Sequence, residues 1–265
     1  MTITEAIIIA IVEGITEFIP ISSTAHMRIT ESFMGISLQD PFVEAFTIAI
    51  QLGAILSVVV LYWRKFFDFT RINLYLKLMI AVVPALVFGF LFSKRIDEIL
   101  EKPYILATIM LTGGVILLFV DKWFKRPVIH HEKNISFFTS FKIGLFQCLA
   151  ILFPGLSRSA ATIIGGMSLK LDRSIAAEFS FLLAVPTMLA ATVYKLYKYT
   201  KEYGAFSNEE VKLLSIGNIV AFIVALLAIK FFINFLKKYG FRMWGIYRIV
   251  VGLTLLFLIY KDILN

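Results

Sequence analysis

Glu13 and Glu17 stand four residues apart inside Ile7-to-Ile21, a run that is otherwise uncharged. That spacing puts both carboxylates on one face of a helix. Two like charges there oppose each other, and each costs at least ~2.5 kcal/mol near the centre of a bilayer. The pair therefore calls for a compensating cation, a shared proton or a metal. Nine residues after Glu17 comes His26, preceded by Ser22, Ser23 and Thr24, whereas His130 and His131 fall in a charged loop. A neutral imidazole serves as nucleophile or general base near neutral pH. Much further on, Pro154-Gly155-Leu156-Ser157-Arg158-Ser159 sets a guanidinium between two hydroxyls. Arginine keeps its proton and grips phosphate oxygens bidentately, and a Pro-Gly turn with hydroxyls beside it resembles an anion-binding nest. This set suits phosphoryl chemistry on an anion that enters from the bilayer. The catalytic candidates are Glu13, Glu17, Ser23, His26 and Arg158, and Ser22, Thr24, Gln51, Ser157 and Ser159 are candidates for holding the substrate. Glu44 and Glu178 fit packing or hydrogen bonding as readily as catalysis. The chain has no Walker loop, no Gly-rich strand turn and no zinc-type spacing.

Positioning these groups falls to helices in a membrane. Of 265 residues, 59% are hydrophobic and 17% charged, against roughly 45–50% (glycine included) and about 25% in soluble domains; the mean hydropathy is +0.86. A soluble fold of this size cannot hide that much apolar surface, and one cysteine, Cys148, excludes a disulfide scaffold. The first segment lacks a basic flank and carries Glu5, Glu13 and Glu17, so it reads as mature structure rather than a signal peptide. The net charge of +8 comes largely from clusters at span ends, namely Arg64-Lys65, Lys94-Arg95, Lys122 to Arg126, Lys195 to Lys201 and Lys237-Lys238. These suit headgroup phosphates of membrane lipids rather than nucleic acid.

A spanning helix needs roughly 17–25 largely apolar residues. Six stretches read as spans, near 42–63, 78–93 (one residue short of that length), 104–120, 174–194, 213–236 and 243–260. Two more, 3–35 and 141–171, are broken by Pro20 to Thr24 and by Pro154 to Ser159. Irregular backbone at membrane depth survives only where protein buries it or it lines a wet cavity, so both are expected to be re-entrant helix hairpins. The expected fold is an all-α polytopic membrane protein with about six transmembrane helices plus these two hairpins, in one domain.

The hairpins belong to an internal repeat. Pro20 and Pro154, Glu13 and Gln147, and Glu44 and Glu178 are each 134 residues apart, and Gly114 answers Gly252 at 138. Three spans separate the hairpins, so the second copy enters upside down, with halves at about 1–125 and 135–265. Broken helices at matching places in inverted halves point to a site where the breaks meet. Loops 63–77, 121–140 and 237–242 hold eleven basic residues against nine on the other side. That count puts the first group in the cytoplasm and turns both termini and the mouth of the first hairpin outward.

Glu13-Gly-Ile-Thr-Glu17-Phe-Ile-Pro20-Ile-Ser-Ser-Thr-Ala-His26 resembles the first signature of the undecaprenyl-diphosphate phosphatase family of the bacitracin-resistance type. Pro154-Gly-Leu-Ser-Arg158-Ser resembles its second, and the likeness runs through Gln51-Leu-Gly and Glu178-Phe-Ser-Phe over the whole chain. Ala25 departs from it, standing where the hydroxyl-rich turn leads one to expect glycine. The resemblance implies a multi-pass hydrolase of the bacterial inner membrane that converts undecaprenyl diphosphate, a polyprenyl lipid, to undecaprenyl phosphate and inorganic phosphate. It further implies a divalent cation, Mg²⁺ or Ca²⁺, for which Glu13 and Glu17 supply hard oxygen ligands. The other class of membrane lipid phosphatase needs a histidine downstream of its Ser-Arg motif, and none follows Arg158.

Three attacking groups fit the residues: Ser23 deprotonated by His26 one turn later, His26 itself, or a metal-bound water. All require Arg158 beside the Ser-Ser-Thr turn, so Glu17, Ser23, His26 and Arg158 are expected to converge on one polar pocket. A transporter that flips the polyprenyl phosphate, as well as or instead of hydrolysing the diphosphate, is the reading from another class, since meeting hairpins are also transporter architecture. Two carboxylates beside the phosphate argue against a pure anion carrier. A homodimer is compatible with either reading.

Overall fold

The computed structural model describes residues 1–100 and 102–261, apart from the side chains of 93–100. Lys94 and Arg95 of the basic clusters therefore lie outside the described side chains.

The described residues form helices and the loops between them. The first apolar stretch folds as α1 (Ile3–Thr16) and α2 (Ser23–Phe33). Next come α3 (Pro41–Ala49) and α4 (Gln51–Leu61), which together make one span, the short α5 (Trp63–Phe66), α6 (Ile72–Leu100) and α7 (Pro103–Trp123). The second broken stretch gives α8 (Phe137–Leu152) and α9 (Arg158–Ser168). The chain then runs through α10 (Arg173–Tyr203), α11 (Asn208–Tyr239) and α12 (Arg242–Tyr260). Among the described residues six helices are long and apolar enough to cross a membrane: Pro41–Leu61, Ile72–Phe92, Pro103–Trp123, Arg173–Tyr203, Asn208–Tyr239 and Arg242–Tyr260. They match the six stretches expected from hydropathy. With 14 and 16 residues, α1 and α8 fall short of a spanning length.

Helix starts follow ordinary capping. Thr2 with Glu5 and Ser207 with Glu210 form capping boxes on α1 and α11, and Asp40 caps α3 ahead of Pro41. The two breaks are different, because each helix restarts behind a serine held at positive φ, Ser22 at 73° and Ser157 at 77°. In both, the serine hydroxyl accepts the backbone N–H three residues on, from Ala25 and Ala160. Proline lacks the N–H a continuing helix needs, so Pro20 and Pro154 mark where each chain turns.

The first helix of each hairpin packs against a distant element, α1 on α11 and α8 on α6, while α7 packs along α12. Phe18, Phe181 and Phe232 stack edge-on through the middle of the main core, with centroid separations of 5.5 and 6.0 Å. Large apolar side chains such as Leu86, Ile219, Phe231, Val250 and Phe257 point outward instead. That distribution fits hydrocarbon as the surrounding solvent.

Candidate active site

The breaks of the two hairpins meet. The Ser159 hydroxyl, at the start of α9, donates to the Ile19 carbonyl of the first break at 3.2 Å. This contact brings together the two segments that the sequence separates by more than a hundred residues.

Glu17 is the hub. Its Oε2 accepts the Ser23 hydroxyl at 2.5 Å, and its Oε1 accepts Arg158 Nη2 at 2.7 Å. Arg158 is further fixed by donating Nη1 to the Ser180 carbonyl of α10 at 3.1 Å, and its guanidinium lies over the Phe18 ring, 5.8 Å from the centroid. Its Nε is buried and has no hydrogen-bond partner among the described residues. A buried N–H without an acceptor is costly, which leaves this donor suited to an anionic guest.

Glu13 is fully buried, with neither carboxylate oxygen hydrogen-bonded among the described residues. The charged groups near enough to act on it are Glu17 and Arg158. Hard, unpartnered oxygens beside a second carboxylate fit Mg²⁺ or Ca²⁺. No third His, Cys, Asp or Glu joins them among the described residues, so a cation there needs phosphate oxygens to complete its shell, as Mg²⁺ commonly does.

His26 sits differently from expectation. Its Nδ1 bonds the Ser22 carbonyl at 2.7 Å and its Nε2 the Tyr247 hydroxyl of α12 at 2.8 Å. A carbonyl only accepts, so Nδ1 carries the proton and Nε2 accepts from tyrosine. The ring is thereby turned toward α12, and the hydrogen bond of Ser23 goes to Glu17. Thus Glu17 contacts both Ser23 and Arg158, while His26 is tied to Tyr247 on α12.

The expected substrate-holding residues divide into two groups. Thr24 and Gln51 line a cavity of about 540 Å³, with Arg28, Glu44, Lys195 and Lys198 among its polar groups and Leu86, Phe90 and Ile151 on its apolar side. Its wall also includes Thr187, next to Met188, whose sulfur contacts Arg158. Ser22, Ser157 and Ser159 instead brace the breaks, Ser22 and Ser157 as caps and Ser159 on Ile19. Glu44 and Glu178 each form an ion pair with a lysine, Lys195 and Lys65.

Sequence reasoning passed over Arg248. It is the lone charge in the apolar span 243–260 and is completely buried. Intramembrane charge is the signal that could have found it. Tyr247 was missed as well, and a tyrosine in an apolar span offers no comparable warning.

The fold and this site define a polytopic α-helical membrane protein with an acid–hydroxyl–guanidinium centre buried between two broken helices. The chain belongs to the bacitracin resistance protein BacA family, which matches residues 6–254. An undecaprenyl-diphosphatase of Flavobacterium psychrophilum is 57% identical over 97% of this chain and 95% of its own. One from Porphyromonas gingivalis strain W83 is 51% identical, covering 99% of each chain. Another, from Campylobacter jejuni, is 43% identical over 98% of this chain and 96% of its own.

Proposed function

We infer that the chain is a membrane hydrolase that removes the terminal phosphate of undecaprenyl diphosphate, yielding undecaprenyl phosphate and inorganic phosphate. This returns the lipid carrier to cell-wall synthesis and accounts for bacitracin resistance. The observation that carries the reading is the single carboxylate of Glu17 bonded on one oxygen to Ser23 and on the other to Arg158. A pure carrier of anions has no use for a base in contact with a hydroxyl.

In the reaction, Arg158 binds the terminal phosphate with its Nε and with the donor released from Glu17. Glu17 takes the Ser23 proton as Oγ attacks the terminal phosphorus, and the bond to the bridging oxygen breaks. Undecaprenyl phosphate departs, and water then cleaves the phosphoserine, releasing inorganic phosphate and restoring the hydroxyl. Glu13 and Glu17 would hold Mg²⁺ or Ca²⁺, which supplies charge neutralisation for the phosphate oxygens when bound. The cavity lined by Thr24 and Gln51 receives the diphosphate among Arg28, Lys195 and Lys198, and its apolar side takes the first isoprene units.

The architecture reads as two inverted halves, about 1–125 and 135–265. Support comes from the matching positive-φ serines and from the exchanged packing of α1 on α11 and α8 on α6. The hairpins are re-entrant on this reading, since α1 and α8 are too short to span. The basic-loop count supports an orientation in which the site opens to the outer side, and the family membership supports placement in the bacterial inner membrane.

The test is phosphate release by purified protein in detergent. Wild-type protein turns over undecaprenyl diphosphate and Arg158→Ala does not. Absence of release from folded wild-type protein overturns the assignment.

A further inference from the structure

Arg248 lies outside the reacting cluster, yet its guanidinium is the most heavily bonded side chain near it. Nε donates to the Met110 carbonyl at 3.1 Å, Nη1 to Pro20 at 3.1 Å and Leu156 at 2.8 Å, and Nη2 to Gly155 at 3.0 Å and Ile109 at 3.4 Å. Three of these five carbonyls belong to the two breaks, Pro20 to the first and Gly155 and Leu156 to the second. Carbonyls in a break have lost their helical N–H partners, and at membrane depth no bulk water replaces them. Arginine alone presents five donors in a rigid planar fork.

The rest of the fold makes room for this side chain. A Cβ on Gly113 would overlap Arg248 Nη2, and one on Gly114 would come within 2.8 Å of Arg248 Cβ. The Gly113-Gly114 pair of α7 therefore forms the slot through which Arg248 of α12 reaches the breaks.

Pro20 stands midway between Glu17 and Ser23 in sequence, and Leu156 comes two residues before Arg158. We propose that Arg248 is a positioning residue for the hydrolysis: by holding the Pro20 carbonyl and the Gly155 and Leu156 carbonyls on one guanidinium, it fixes the distance between the Glu17–Ser23 pair and Arg158. This rests on the hydrolase reading above. Among the described residues the hydrogen bonds of Arg248 all go to backbone carbonyls, and its effect on the phosphate passes through the two breaks. Displacing a reacting group by about 1 Å costs on the order of 10²-fold in rate, so small losses of register are felt in kcat.

Arg248→Lys keeps the charge and part of the reach but lacks the fork. In detergent-purified protein its kcat falls about tenfold or more while KM for undecaprenyl diphosphate changes less than about threefold, because the substrate's cavity is untouched. Thermal unfolding, measured alongside, remains cooperative. Gly113→Ala, which crowds Nη2 without removing it, shows the same loss in kcat at smaller size. Wild-type turnover measured in parallel separates the two inferences, since an inactive wild type defeats the hydrolase reading itself. With an active wild type, a folded Arg248→Lys that keeps kcat within threefold overturns the positioning role. So does a rise in KM that accounts for the whole loss. If Arg248→Lys does not fold, Gly113→Ala decides by the same two constants, and if neither folds the residue is purely structural and the proposal falls.

Discussion

Ser23 and Arg158 occupy the same place in their respective hairpins and meet on opposite oxygens of one carboxylate. Each is the first residue of a helix that restarts behind a positive-φ serine, α2 after Ser22 and α9 after Ser157. A helix start behind a positive-φ serine thus delivers a hydroxyl in one case and a guanidinium in the other to Glu17, at 2.5 and 2.7 Å. The arrangement gives the attacking group and the anion clamp a common reference point.

If Glu17 is the base for Ser23, the two act as a unit. Glu17→Gln and Ser23→Ala should each lower kcat by about 10²–10⁴-fold, the range for a positioned acid or base. The double variant should lose little more than the worse single one, since groups acting in one step are not additive. Additive losses in the steady-state cycle would mean that the two residues serve separate steps.

Arg158→Ala should abolish nearly all phosphate release, and Arg158→Lys should not restore it. An ammonium cannot reproduce bidentate recognition, nor can it donate to Glu17, Ser180 and a phosphate in fixed directions. A lysine variant keeping more than about a tenth of wild-type turnover (~1.4 kcal/mol, a factor of ten in rate) would remove the clamp role.

Much of this site was legible because the bilayer makes polar residues conspicuous. Glu13, Glu17 and Arg158 stand out as charges in apolar runs, and Pro20 and Pro154 mark the breaks that bring them together. The six spans were readable for the same reason, each being a long apolar run closed by basic residues. Side-chain direction was not readable. The i to i+3 spacing of Ser23 and His26 suggested a pair, but the Ser22 carbonyl captures Nδ1 and turns the ring to Tyr247. The two serines of Pro154-to-Ser159 looked like phosphate ligands, yet both brace the backbone that the proline and glycine leave without helical bonds. Both outcomes depend on tertiary partners far away in sequence, which local spacing does not encode.

The unpartnered oxygens of Glu13 make a separate prediction about metal. Glu13→Gln should weaken activation by Mg²⁺ or Ca²⁺ and lower turnover, because an amide is a poorer ligand than a carboxylate. The check is turnover against free cation concentration for wild type and variant. Full activity of Glu13→Gln or Glu17→Gln in the presence of a chelator would sink the assignment of these carboxylates to a cation.

Gly155 tests the second break as architecture. Its φ is +99°, and a Cβ there would lie 3.0 Å from the Leu106 carbonyl. Gly155→Ala forces a side chain into a region L-residues rarely adopt, a strain of order 1–3 kcal/mol. Earlier thermal unfolding in detergent is expected, together with reduced turnover, since the Gly155 carbonyl is one that Arg248 holds. An alanine variant as stable as wild type would show that the break relaxes without consequence.

The identity of the attacking atom is the sharpest remaining test, because the structure separates the candidates physically. Ser23 Oγ already donates to a carboxylate that can take its proton, whereas His26 Nε2 accepts from the Tyr247 hydroxyl. For His26 to attack, Nε2 must first leave Tyr247, and for it to serve Ser23 the ring must turn away from both present partners. Tyr247→Phe frees Nε2 without touching Glu17, Ser23 or Arg158. Attack by Ser23 with Glu17 as base predicts that this variant keeps turnover within about threefold, a difference well under the tenfold that ~1.4 kcal/mol represents. Rapid acid quench during turnover distinguishes the intermediates directly. A phosphoserine survives acid and should disappear in Ser23→Ala, while a phosphohistidine is acid-labile and would disappear in His26→Ala. Trapping an acid-labile adduct that depends on His26 would transfer the nucleophilic role from Ser23 to the imidazole. Absence of any adduct, with Ser23→Ala still active, would give the attack to water.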